Sequence, residues 1–122
     1  MKKFNEYVKK MVEKCEVVKD DLQDDFHHIA FGVFLTDSGE KYYKNGHLLS
    51  FFKTIQDGVN EGANREEVIE YLVTTRQGYE KARLQNNPVN FSTNPMANLI
   101  RLWDFELLAE YIKYTEVMLS KI

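Results

Sequence analysis

The carboxy-terminal segment of this chain carries more apolar surface than one face of a helix can hide. Asn94 followed by Pro95 reads as an N-cap with proline at the first helical position, and the spacing predicts a helix from there to about Ser120. At about 100° per residue, Met96, Ile100, Trp103, Leu107, Tyr111, Tyr114 and Met118 form one stripe. Phe105, Leu108, Ile112 and Leu119 form a second beside it, leaving Asn98, Glu106, Lys113, Glu116 and Ser120 as a polar strip. A surface helix needs one stripe. Two stripes require either a central helix wrapped by its own chain or a second molecule, and 122 residues is a short chain from which to cover both. Aromatic residues and Met are enriched in interface cores, so Phe105, Leu108, Ile112 and Leu119 are the candidate interface and self-association is expected.

The remainder also reads as helical. Phe4, Val8, Met11, Cys15, Val18, Leu22, Phe26, Ile29 and Val33 recur every three or four residues, the one-face signature of a helix. Asp20, Asp21, Asp24 and Asp25 combine weak helix formers with negative charge that suits a helix N-terminus, so a break is expected near Lys19. Phe26 to Thr36 is almost wholly apolar and Asp37, Ser38, Gly39 and Glu40 form a turn signal. That stretch fits a second helix closed by Gly39 or a β-hairpin with Gly39 at positive φ. Leu48, Leu49, Phe52, Ile55 and Val59 predict a helix over about 46–57, stopping near Gly58 to Gly62. Asn64, with Glu66 and Glu67 in the first turn, caps another that runs to about Leu84 and ends at Gln85, Asn86, Asn87 and Pro88. The expected fold is mainly α: a compact single domain of four to five helices across residues 1–122, with the hairpin at about 27–44 as the alternative for that stretch.

Charge narrows the partners. The net charge of −3 hides six Lys against three Glu in residues 1–19 and six acidic residues without Lys or Arg in residues 20–40. That order suits head-to-tail association or internal pairing of the two segments. With a pI near 5.6 and four Arg, direct DNA binding is not expected. Cys15 is the only cysteine, which excludes an intrachain disulfide and a Cys-based zinc site and points to a reducing, cytoplasmic location. No apolar run approaches the length of a membrane span, and residues 1–19 are too polar for a signal-peptide core, so no membrane association is expected.

Three features bear on chemistry. The helix beginning after Asn64 has a core stripe of Ile69, Leu72 and Val73 whose face continues with Arg76 and Arg83, Tyr79 lying to one side. Asn90 and Phe91 fall in the polar segment that follows, and Arg101 could join from the last helix. Guanidinium forks match phosphate or carboxylate, and an aromatic neighbour can stack on a ring, so these six residues form a candidate site for an anionic small ligand such as a nucleotide. The plainer reading is that the arginines snorkel past the core edge and Arg76 pairs with Glu80.

Asp24, Asp25, His27 and His28, with His47 elsewhere, resemble a metal set, but one face is not enough: paired carboxylate-and-histidine motifs on facing helices are missing, and so is His-Glu-x-x-His. No metal or other cofactor is expected. Cys15 sits in an apolar stripe, better suited to packing than to nucleophilic attack, and neither a Gly-rich phosphate loop nor a Gly-x-Ser-x-Gly elbow is present. Glu66, Glu67, Glu70, Asp104, Glu106 and Glu110 leave a metal-dependent nucleotide hydrolase as the least favoured reading. The preferred expectation is a non-catalytic regulatory or inhibitor-type protein that self-associates and occupies a protein partner. Small-ligand binding is the alternative, and a phage or mobile element would be a natural source for a chain of this size and kind.

Overall fold

The computed structural model describes residues 1–29, 37–86 and 94–122, with side chains for all of these except 23–29, 37 and 38. Four helices follow in order: α1 Lys2–Ile29, α2 Asp37–Asn60, α3 Arg65–Gln85 and α4 Pro95–Ser120. The fold is mainly α, and no strand occurs among the described residues.

Residues 5–62 form one compact unit. Within it α1 buries Val8, Val12, Cys15 and Leu22, and α2 buries Leu49, Phe51, Phe52 and Ile55. The Tyr7 ring meets Phe52 edge-on at 6.4 Å, Asn45 Nδ2 donates to the Cys15 carbonyl at 2.9 Å, and Lys53 Nζ lies 3.5 Å from Glu16 Oε1.

Both helices are longer than their local signals suggest. The break expected near Lys19 does not occur, because α1 continues through Asp20 and Asp21 to Ile29. Asp20 and Asp21 together cost roughly 1.4 kcal/mol as weak helix formers, whereas burying Leu22 contributes roughly 1.5–3 kcal/mol, which favours carrying the helix past Lys19 to Leu22. Likewise α2 begins at Asp37, nine residues before the start expected at Gly46, and runs three residues past the expected end.

The half-buried Tyr42 and Tyr43, the Lys44–Glu40 ion pair at 2.8 Å and the Asn45 bond to α1 together outweigh Gly46 in the helix interior. The hairpin alternative over 27–44 fails on both flanks: residues 27–29 end α1, and Asp37 to Glu40 are the first turn of α2 rather than a β-turn. Residues 30–36 lie outside the described residues. The expected stop at the end of α2 is present, with Gly62 N–H donating to Val59 O at 3.1 Å and Gly62 at φ +105°.

Residues 63–122, joined by residues 1–4, form the second unit. Here both Asn caps are as expected. Asn64 Oδ1 accepts from Glu67 N at 2.9 Å and Glu67 Oε1 accepts from Asn64 N at 3.5 Å, closing a capping box on α3. Asn94 Oδ1 accepts from Met96 N at 3.0 Å, with Pro95 opening α4. Phe4, Val68, Leu72, Trp103, Leu107 and Met118 are buried in this unit. Thr115 is fully buried among them and satisfies its hydroxyl by donating to Ile112 O at 2.7 Å.

Candidate functional site

The α3–α4 pair positions most of the residues singled out by sequence. Arg83 pairs with Phe105 and Tyr79 with Tyr111, so residue numbers fall on one helix as they rise on the other and the two run antiparallel. Leu72 and Met118, both fully buried, lie in the same register.

In this packing two ligand candidates also tie the helices together. The Arg83 guanidinium carbon sits 5.1 Å from the centroid of the Phe105 ring, a cation–π contact that joins a ligand candidate to an interface candidate. Tyr79 stacks on Tyr111 with centroids 4.8 Å apart and 30° between planes. Burial pushes the Tyr79 hydroxyl above its usual value of 10.0, and Tyr71 adds to the shift, so the phenol stays protonated at neutral pH.

Arg76 differs from both. Its Nε lies 3.8 Å from Glu80 Oε1, and that buried nitrogen has no hydrogen-bond partner. Arg76 and Arg83 are seven residues apart, about 10 Å along the helix axis. Arg101 is exposed near the start of α4, where the register places it beyond Arg83 toward the inter-helix connection. Asn90 and Phe91 lie outside the described residues.

The four interface candidates behave alike. On the first stripe Trp103, Leu107 and Met118 are at most 2% exposed and Ile100, Tyr111 and Tyr114 are half-buried, as are Phe105, Leu108, Ile112 and Leu119 on the second. Leu102 at 41% and Met96 at 39% extend the apolar exposure of α4.

Sequence reading named Glu110 only among the carboxylates of the hydrolase reading and missed its burial: its Oε2 is buried with no hydrogen-bond partner. The signal was available, since Glu110 stands three residues after Leu107 and seven after Trp103, on the core face of α4 rather than its polar strip.

Cys15 is 4% exposed, and burial pushes its thiol above the usual 9.0, Lys14 opposing and Glu16 adding to the shift. A nucleophile needs the thiolate, so this placement suits packing. His47 is exposed, with its ring 4.5 Å from that of Tyr43. The side chains of Asp24, Asp25, His27 and His28 lie outside the described residues, and among those described no three His, Cys, Asp or Glu are grouped to hold a metal ion. Among the described residues no helix is long and apolar enough to cross a membrane.

No protein-family model, no curated protein and no solved structure matches the chain.

Proposed function

We propose that the chain is a non-catalytic regulatory or inhibitor-type protein that self-associates and occupies a protein partner, docking through the outer strip of α4. One observation carries this reading: Phe105, Leu108, Ile112 and Leu119 all stay partly exposed in a single copy, beside a stripe of which only Trp103, Leu107 and Met118 are buried. Covering such a strip removes apolar area from water, and its aliphatic and aromatic content matches the cores of protein interfaces. The test is sedimentation of the whole chain against Leu108→Asp with Ile112→Asp. Association of the unmutated chain that persists at high salt and is lost in the double variant supports the α4 face. A strict monomer at tens of micromolar overturns it.

A second reading, binding of an anionic ligand, is favoured by the buried Arg76 Nε without a hydrogen-bond partner. Nucleoside triphosphates should then raise the unfolding temperature of the chain, and Arg76→Ala with Arg83→Ala should abolish the shift. No shift in the unmutated chain ends this reading.

A further inference from the structure

Two rows of residues run along the join between α3 and α4. Tyr79 meets Tyr111, and a step of seven along each helix brings Leu72 level with Met118, both fully buried. Arg83 meets Phe105, and steps of seven from that pair bring Arg76 level with Ile112 and Ile69 level with Leu119. Seven residues are close to two turns, so each row keeps to one edge of its helix. The Tyr row is the inner one. No member of the Arg row is buried: Arg83 is exposed and the other five are half-buried.

The outer strip of α4 is therefore one wall of a groove, and α3 supplies the other. The α3 wall is not apolar throughout. Ile69 stands level with Leu119 at one end, while the middle and the far end each carry a guanidinium group. Arg76 is 32% exposed, and Glu80 stands 3.8 Å from its Nε, beyond hydrogen-bond distance, so that donor is unfilled. Arg83 lies over the Phe105 ring, and no ion pair holds it among the described residues.

We infer that this groove takes an amphipathic helix of a protein partner, and that the helix carries two carboxylates seven residues apart on the row facing it. The inference rests on the reading of α4 as a docking strip and adds the chemistry of the occupant. A helix laid along the join makes a three-helix packing and covers the aliphatic walls. Its own two-turn repeat matches the spacing of Arg76 and Arg83, about 10 Å, so one carboxylate can meet each guanidinium group. A second copy docked by the same face would instead gather four guanidinium groups with two Glu80 carboxylates in one apolar contact. That excess of positive charge favours an acidic partner over a copy.

Fluorescence anisotropy tests this with a labelled peptide of about 20 residues, long enough to hold a helix. Its leucine face carries, at steps of seven along one row, Leu, Glu and Glu. A second peptide has Gln at both Glu positions. A third has both Glu moved to the opposite face, which keeps the net charge. The first should bind the whole chain on the order of tenfold more tightly than either of the others. Arg76→Gln with Arg83→Gln should erase that preference, and Arg76→Glu with Arg83→Glu should transfer it to a peptide with Lys at the two positions. Helical circular dichroism checks that each variant folds. Arg83→Gln alone, at an exposed position, should reduce the preference and keeps the test open if Arg76 variants unfold.

No binding of any peptide overturns the inference, as does a preference that survives both Arg→Gln changes. Equal binding of the first three peptides, lost with Leu108→Asp and Ile112→Asp, removes the acidic partner but leaves the α4 strip as an apolar dock. Pyrophosphate that displaces the Glu peptide from the guanidinium groups at equal concentration overturns it in favour of a small anion.

Discussion

The Tyr79 ring lies against that of Tyr111 with their planes only 30° apart and their centroids at 4.8 Å, so a side chain singled out as a ligand contact fastens α3 to α4. Removing either ring should cost stability first. Tyr79→Ala should destabilise the chain by roughly 2–3 kcal/mol, below the upper range for aromatic truncation because the residue is only half-buried. Tyr79→Phe keeps the stack and should cost under about 1 kcal/mol. Urea denaturation midpoints measure both, and equal losses for the two variants would show that the stack contributes nothing.

Arg83 and Phe105 are a second tie, at 5.1 Å from charge to ring. A double-mutant cycle with Arg83→Met and Phe105→Leu should return a coupling of roughly 0.5–1 kcal/mol, the range for a solvent-accessible cation–π pair. Additive losses would mean that the guanidinium merely rests there.

Two glycines should respond oppositely to alanine. Gly46 stands exposed inside α2 with open space where a Cβ would go, so Gly46→Ala should stabilise by about 1 kcal/mol through helix propensity. Gly62, at φ +105°, holds a conformation alanine enters with strain, and Gly62→Ala should destabilise by about 1 kcal/mol or more. Thermal unfolding distinguishes the signs. A loss at Gly46 would place the start of α2 after that residue.

Alkaline pH should weaken the fold in two stages. Burial raises the Cys15 thiol above 9.0, so both states hold the proton below that pH and the contribution is intact. As pH rises past 9.0 the unfolded thiol ionises first, and stability falls until the folded thiol titrates too. Tyr79 repeats the pattern from 10.0 upward. The stability difference between the unmutated chain and Cys15→Ala, from denaturation midpoints at pH 8 to 10, should shrink as pH rises. A pH-independent difference would show that Cys15 does not titrate in this way.

The capping box offers a calibrated check. Asn64→Ala should cost about 1 kcal/mol in denaturant unfolding, and Glu67→Ala less, because its bond to the Asn64 N–H is longer, 3.5 Å against 2.9 Å.

What the sequence by itself determined was set by local physics. Asn64 and Asn94 cap α3 and α4 because a short side-chain oxygen reaches backbone N–H groups two or three residues on, whatever the rest of the chain does. Gly62 ends its stretch because positive φ is a property of one residue. The three- and four-residue spacing made the fold mainly α for the same reason.

The boundaries of α1 and α2 needed the tertiary structure. Asp20 and Gly46 argue locally for breaks, and only the burial of Leu22 and the bond from Asn45 to the Cys15 carbonyl, thirty residues away, decide against them. The site followed the same division. Sequence placed Arg76, Tyr79 and Arg83 along one helix, but contacts with Phe105 and Tyr111 set the surroundings of two of them. Those partners lie more than twenty residues along the chain, and periodicity within a helix cannot specify which residue of another helix comes to face it.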